Sequence, residues 1–458
     1  MRKSRLGTAN YTDQEPSYIK IIKKGIWLYY LLLIFEGALR KWVLPGLATP
    51  LLIVRDPVAF VLILYGIRHD LLKLNGYLMA VTVIGVLSFI LAMLVGHGNL
   101  AVALYGTRIL LLHFPLIFLI QKVFTEKDVS KLGIVTLWIA IPMAILIAMQ
   151  FYSPQTAWVN RGIGGDEEGA GFSGALGFFR PPGTFSFTNG NTLFFGFVAV
   201  FVFYFWLTPG KINKLILIGA SIGLLMSIPL SISRGLFFQI GITVIFSFIV
   251  ILKKPKYIGQ VLFTAFALIV IFVVLSKASF FQIATGAFTS RFEVANKSEG
   301  GVESVLLDRY LGGLWSALSL SFDKPFFGIG IGAGTNVGSN LLTGQQQFLG
   351  GEGEWGRLVA ELGPILGIII IFIRMGMSVE VAVGSYKQLV KGDILPWMLL
   401  SFGLLTLPQG GWAQPTSLGF CTITGGLMFA SLNKSMPYKK GGITKRVISV
   451  SPNASRQV

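Results

Sequence analysis

Arginine recurs in this chain at places where a buried cation is costly. Arg40 and Lys41 close the first long apolar run, Arg55 lies near the start of the second, and Arg357 opens the tenth. Arg108 stands about seven residues, or roughly 10 Å, into the fourth run. Arg180 sits in FFRPPGTFS, Arg234 in SISRG, and Arg291 and Arg309 in a long polar stretch. Guanidinium groups pair bidentately with phosphate oxygens, so several at one level make a receptor for a multiply charged anion. The acids nearest the tenth run are Glu352, Glu354 and Glu361. A carboxylate poised beside a cation cluster can take the proton of an attacking hydroxyl.

Each of these residues also has a plainer reading. Glu36 and Arg40 are four apart on one helix, which suits an ion pair. Arg55 adjoins Asp56, Arg291 is close to Glu293, and Arg309 follows Asp308. Arg108 has His113 about one turn further along, and His113 alone reads as an interior histidine. Snorkelling to a membrane surface would account for Arg357, and a bond to Arg357 would account for Glu361. His97, in GHGN, reads as a solvated loop residue. Only Arg180 and Arg234 occupy Gly/Pro/Ser turns at the ends of apolar runs without an adjacent acid.

The elements that must position these groups are membrane helices. Of 458 residues, 53% are hydrophobic and only 13% charged, against about 25% charged in soluble domains. A crossing helix needs about 20 apolar residues. On that ruler the spans fall at 25–42, 49–67, 76–95, 101–121, 132–150, 190–207, 214–230, 235–252, 257–275, 357–375, 394–409 and 416–432. The fold class is therefore all-α and polytopic, with about 12 transmembrane helices and a large outer loop between spans nine and ten. Single Cys421 excludes a disulfide framework, and three histidines leave little room for a metal centre, so neither cofactor nor metal is expected. There is no P-loop, no HExxH and no GxSxG elbow. The GIGIGAG run at 328–334 lacks the strand–helix setting of a dinucleotide loop.

Orientation follows from lysine and arginine in the short loops. With residues 1–24 cytoplasmic, the inner loops hold Arg68 and Lys73, then Lys122, Lys127 and Lys131, then Lys211 and Lys214, then Lys253, Lys254 and Lys256, and last Arg374, Lys387 and Lys391. The tail 433–458 is basic and also cytoplasmic. The net charge of +18 is thus a topology signal with a contact to membrane lipids, and no nucleic acid is expected. Asp13 and Glu15 interrupt the basic N-terminal region, so the first span is expected to remain as an anchor. Two outer loops are long, 151–189 and 276–355. The second is the principal polar interruption; Val302, Leu306, Tyr310, Leu314 and Leu318 predict a helix over 302–321, followed by a turn-rich FGIGIGAG connection.

Four segments, FRPPGTFSFTNGN at 179–191, SISRG at 231–235, DRYLGGLWSALSLSFDKPFFGIGIGAG at 308–334 and GEWGRLVAELGPILG at 353–367, resemble the bacterial O-antigen ligase and O-antigen polymerase superfamily of membrane glycan transferases. The likeness covers roughly 100–450, and FEGALRKWVLP at 35–45 resembles the N-terminus of some members. It implies transfer of an undecaprenyl-pyrophosphate-linked glycan to an acceptor glycan or lipid on the outer face of the bacterial inner membrane, without nucleotide or metal. It places Arg180, Arg234 and Arg309 among the pyrophosphate-binding arginines; Arg291 and Arg108 are further candidates from their positions in the chain alone. Glu361-Leu362-Gly363 matches the ligases' E-x-G motif, but their histidine about nine residues earlier is replaced here by Glu352. That departure favours a polymerase-like reaction with Glu352 or Glu354 as base. The competing class is a transporter or flippase of anionic glycolipid, and a non-catalytic partner of other polysaccharide-assembly proteins is a third.

Overall fold

Several helices begin at side chains that satisfy the open N–H groups of a first turn. Asn75 accepts from Leu78 N–H at 2.7 Å, Asn99 from Val102 N–H at 3.2 Å, and Thr125 forms a reciprocal capping box with Asp128. The computed structural model describes residues 15–299, 313, 317, 319, 325–345 and 353–433. Arg309, Glu352, the tail from 434 onward and most of the helix expected over 302–321 lie outside the described residues; of that stretch Gly313, Ala317 and Ser319 are helical.

The described chain is helical apart from one hairpin. The helices are α1 (Ser17–Ala38), α2 (Arg55–Arg68), α3 (Gly76–Leu94) and α4 (Leu100–Val123), which includes a wide turn at Ile109–His113. Next come α5 (Glu126–Tyr152), the antiparallel strands β1 (Phe172–Ala175) and β2 (Phe178–Arg180), and α6 (Thr188–Leu207). Then follow α7 (Lys214–Leu230), α8 (Arg234–Lys253), α9 (Ile258–Ser276), α10 (Ser279–Glu299), α11 (Asn336–Thr343), α12 (Glu354–Lys391), α13 (Leu395–Gln409) and α14 (Pro415–Leu432).

A helix occupies every stretch expected to be a span. Among the described residues eight helices are long and apolar enough to cross a membrane, and α7 and α13 are apolar but shorter. Helix α1 carries Lys20, Lys23, Lys24 and Glu36, and α14 is interrupted by Ser, Thr and Gly. The bundle is organised around α6, whose most apolar window is 83% buried, against 11% for α9. Phe194, Phe195, Phe197, Phe201 and Phe205 are all enclosed, as expected of a helix apolar on every side. The opposite pattern in α9, with Leu262, Phe263, Phe266 and Ile269 exposed, gives the bundle an apolar outer surface.

Three features go beyond what the sequence led us to expect. The loop 151–189 contains the β1–β2 hairpin, and the stretch after 276 opens with the 21-residue helix α10. Helix α12 is not a single rod beginning at 357. Glu354 and Arg374 would stand about 30 Å apart on a straight helix, yet their side chains meet at 2.8 Å. The break is Gly363, at φ +79, followed by Pro364. No L side chain would fit there, because a Cβ would collide with Phe326 O, and the limb 354–362 folds back so that Gly367 lies against the backbone of Leu358 and Val359. Arg374, expected in an inner loop, is consequently a fully buried interior residue.

Candidate functional site

Three charged assemblies lie near where the loops 39–54, 95–99, 153–187, 325–335 and 410–414 come together. Thr184 Oγ1 donates to Ile34 O at 2.5 Å, Arg55 Nη2 to Pro415 O, His97 Nε2 bonds Ile331 O at 3.1 Å, and Trp355 Nε1 donates to Pro408 O at 2.8 Å. These contacts tie α1 to the loop before α6, α2 to α14, the loop after α3 to the glycine run, and α12 to α13. His97 is therefore a strut, with Nδ1 accepting from Asn99 N–H at 3.0 Å, rather than a solvated loop residue.

The first assembly joins α1, α2 and α4. Glu36 bonds Arg55 Nε at 3.3 Å and Arg40 Nη1 at 3.5 Å. Asp56 accepts both hydrogen bonds of Arg108 Nη1, at 2.8 and 2.9 Å, and a third from His113 Nε2 at 3.0 Å. A carboxylate only accepts, so His113 Nδ1 is left to accept from Tyr29 OH at 2.8 Å. Arg40 and Lys41 then reach the loop after β2: Arg40 Nη1 donates to Ser186 Oγ at 2.8 Å, and the buried Lys41 Nζ to Gly183 O at 2.7 Å. That loop presses onto α1 at Gly37, where a Cβ would collide with the backbone of Phe185 and Ser186. Arg108, a candidate anion ligand, is here the partner of Asp56.

The second assembly joins both limbs of α12 to the glycine run. Arg357 donates to Glu354 at 2.6 and 3.0 Å and to Glu361 at 2.5 Å, while Arg374 adds a bond to Glu354 and lies 4.3 Å above the Trp412 ring. Glu361 also accepts from Gly332 N–H at 3.1 Å and Gly334 N–H at 2.8 Å. Successive glycine N–H groups converging on one point form a nest for an anion, and the chain's own carboxylate fills it. Two carboxylates and two guanidinium groups leave the assembly neutral. Arg357 is buried rather than snorkelling, and of the two readings open for Glu361, the bond to Arg357 is present.

The third assembly has a different character. Arg180 ends β2, Arg234 opens α8, and Arg291 lies on α10. Ile232 packs against Gly174 in β1, and the Gly174 face also meets the Arg180 stem. Phe237 and Phe238 at the start of α8 meet Phe288 and Phe292 of α10, with ring centroids 5.7–5.9 Å apart. Phe178 stacks flat on Phe151 at 4.6 Å and holds β2 against α5. Arg180 Nε is buried without a hydrogen-bond partner among the described residues. Neither Arg180 nor Arg291 has an ion pair with a carboxylate among them. Burial, then the charges of Arg291 and Arg234, hold the Arg180 guanidinium below its ordinary pKa. The positive end of α8 points into the same region. The arrangement suits a multiply charged anion.

The structure thus brings Arg180, Arg234 and Arg291 together, and separately joins Glu354 and Glu361. Sequence reasoning missed Arg374, although a lone arginine in IIIFIRMG carries the same cost signal as Glu361 in VAELG. It also missed Asp56 as the hub of a buried network. Among the described residues no group of three or more His, Cys, Asp or Glu is placed to hold a metal ion. No protein-family model, curated protein or solved structure matches the chain.

Proposed function

We propose that the chain is a metal-independent glycan transferase of the bacterial inner membrane, acting on an undecaprenyl-pyrophosphate-linked oligosaccharide. In this reading it crosses the membrane twelve times with both termini cytoplasmic, and the loop end carrying the arginines faces outward. The observation that carries the proposal is the meeting of Arg180, Arg234 and Arg291, with Arg180 held against like charges. A pyrophosphate, multiply charged, suits guanidinium groups gathered in this way.

The reaction assigned is polymerisation of an O-antigen or exopolysaccharide rather than ligation. An acceptor sugar hydroxyl attacks the anomeric carbon of the donor, its proton passes to a carboxylate, and the bond to the pyrophosphate oxygen breaks. The departing undecaprenyl pyrophosphate carries away the electron pair, and the arginines stabilise its charge. Glu354 and Glu361 already hold guanidinium groups, so the base is assigned to Glu352, and the other two keep the glycine run and α12 in place. Arg309 joins the anion ligands by its place in the motif.

The test is purified protein incubated with lipid-linked oligosaccharide in detergent. New glycosidic bonds are expected from the wild type. Arg180→Ala and Arg234→Ala should each lower turnover by about 10²–10³ while inserting at normal levels. Wild-type product from both variants would overturn the proposal. No bond formation by the wild type, with movement of the same glycolipid across vesicles, would instead establish the flippase reading.

A further inference from the structure

We propose that the β1–β2 hairpin seats its tip in the lipid surface, with Leu176 as the inserted residue, and thereby holds Arg180 at the membrane border. This rests on the membrane placement proposed above and not on the transfer reaction.

The first observation is conformational. Ala175 pairs with Phe178, leaving Leu176 and Gly177 as a two-residue turn, with φ +52 and +79. Positive φ at both central residues is the signature of a type I′ turn, whose first position favours Asn, Asp or Gly. A leucine there carries a steric cost that those residues avoid. Leu176 nevertheless stands 66% exposed, so it gains little from packing within the protein.

The second observation is the character of the surface. Residues 169–179 carry no charge, whereas Asp166, Glu167 and Glu168 just before them are charged. Cross-strand pairing puts Phe172 on the Arg180 side of the hairpin and Phe179 on the other, and both are exposed. An element lying in water would turn a polar face outward, whereas one entering lipid needs apolar groups on both. The protein grips the hairpin close to the turn, through Phe178 on Phe151 and Gly174 against Ile232, and leaves Leu176 itself facing outward. Beside it, α8 and α10 expose Phe237, Phe280 and Ile283, so the apolar outer surface of the bundle continues into the hairpin. Arg180 directly follows Phe179, which places a guanidinium where a lipid-borne anion would meet it without leaving the bilayer.

The experiment uses the full chain in lipid nanodiscs with nitroxide labels on L176C and, as an aqueous reference in the same loop, E167C. Cys421 is buried and stays unlabelled. The label at 176 should collide preferentially with oxygen, which partitions into lipid, and the label at 167 with a water-soluble nickel chelate. Equal access of the chelate to both positions would overturn the proposal, as would shielding of 176 from both reagents, the mark of a protein cover. A second variant separates anchoring from folding. Leu176→Asn suits the turn better, so thermal unfolding should not fall, while a label on S173C should gain chelate access. No gain at 173 would refute the anchor. Product formation reads the transfer reaction separately, so either idea can fail alone.

Discussion

Two groups of arginines occupy the same end of the bundle and differ in what faces them. Arg55, Arg108, Arg357 and Arg374 each bond a buried or half-buried carboxylate, Glu36, Asp56, Glu354 or Glu361. Arg180 lies within reach of the charges of Arg291 and Arg234, and neither Arg180 nor Arg291 has a carboxylate ion pair among the described residues. A neutralised cation inside a bundle ties helices together, because removing either partner leaves a buried charge. A cation held beside like charges is destabilising until something anionic arrives. The contrast separates a scaffold from the receptor proposed above, although the residues are chemically identical.

The largest effect is expected from the scaffold. Glu361→Gln removes one of the two charge partners of Arg357, leaves the assembly with an uncompensated buried charge, and removes the better acceptor for two glycine N–H groups. It should destabilise the protein by about 3–5 kcal/mol, seen as a lower unfolding midpoint in detergent. An unchanged midpoint would erase the distinction between the two groups.

The receptor should behave in the opposite sense. Inorganic pyrophosphate should raise the wild-type midpoint, by about 2.7 kcal/mol at a hundredfold excess over its dissociation constant. Arg180→Ala should lose that rise while leaving the ligand-free midpoint unchanged or higher, because a mutual repulsion is removed. The pH dependence has a definite sign. Arg180 titrates lower in the fold than in the unfolded chain, so the unfolded state binds more protons between the two values. Ligand-free stability should therefore rise with pH in that alkaline window, and the pyrophosphate response should weaken as the cation is lost. A response that survives Arg180→Ala would move the receptor elsewhere.

The smallest effect is expected at Arg161, whose pair with Glu167 is exposed, at 39% and 77% of the two side chains. Arg161→Ala should change stability by less than about 0.5 kcal/mol, read by the same unfolding measurement. A larger loss would show that exposure is a poor guide to which pairs matter here.

Much of this architecture was legible in the residues. Apolar runs located the helices, because that signal is local. The misplacement of Arg180 and Arg234 was legible too, since a cation in a Pro/Gly/Ser turn without a neighbouring acid lacks a local explanation. The ion pair of Glu361 with Arg357 was open as an alternative because four residues make one helical turn. Hidden from the sequence was the partner exchange at Arg55 and Asp56. Adjacent in the chain, they point apart on α2, one to Glu36 and the other to Arg108 and His113. The Glu354–Arg374 bond was equally hidden, since it exists only because Gly363 lets the chain turn back.

By itself, the sequence determined that this is an all-α chain with helices of membrane-spanning length and cations at their ends. Composition and periodicity set those properties through the energetics of burying single residues. Only the tertiary structure decided which cations are neutralised and which lie within reach of one another's charges. Charge pairing acts over a few ångströms in space, and loop closure can bring distant residues to that range or leave neighbours apart. It also decided that the glycine run cradles Glu361 and that Leu176 stands exposed at a left-handed turn, because both depend on where folded backbone meets folded backbone.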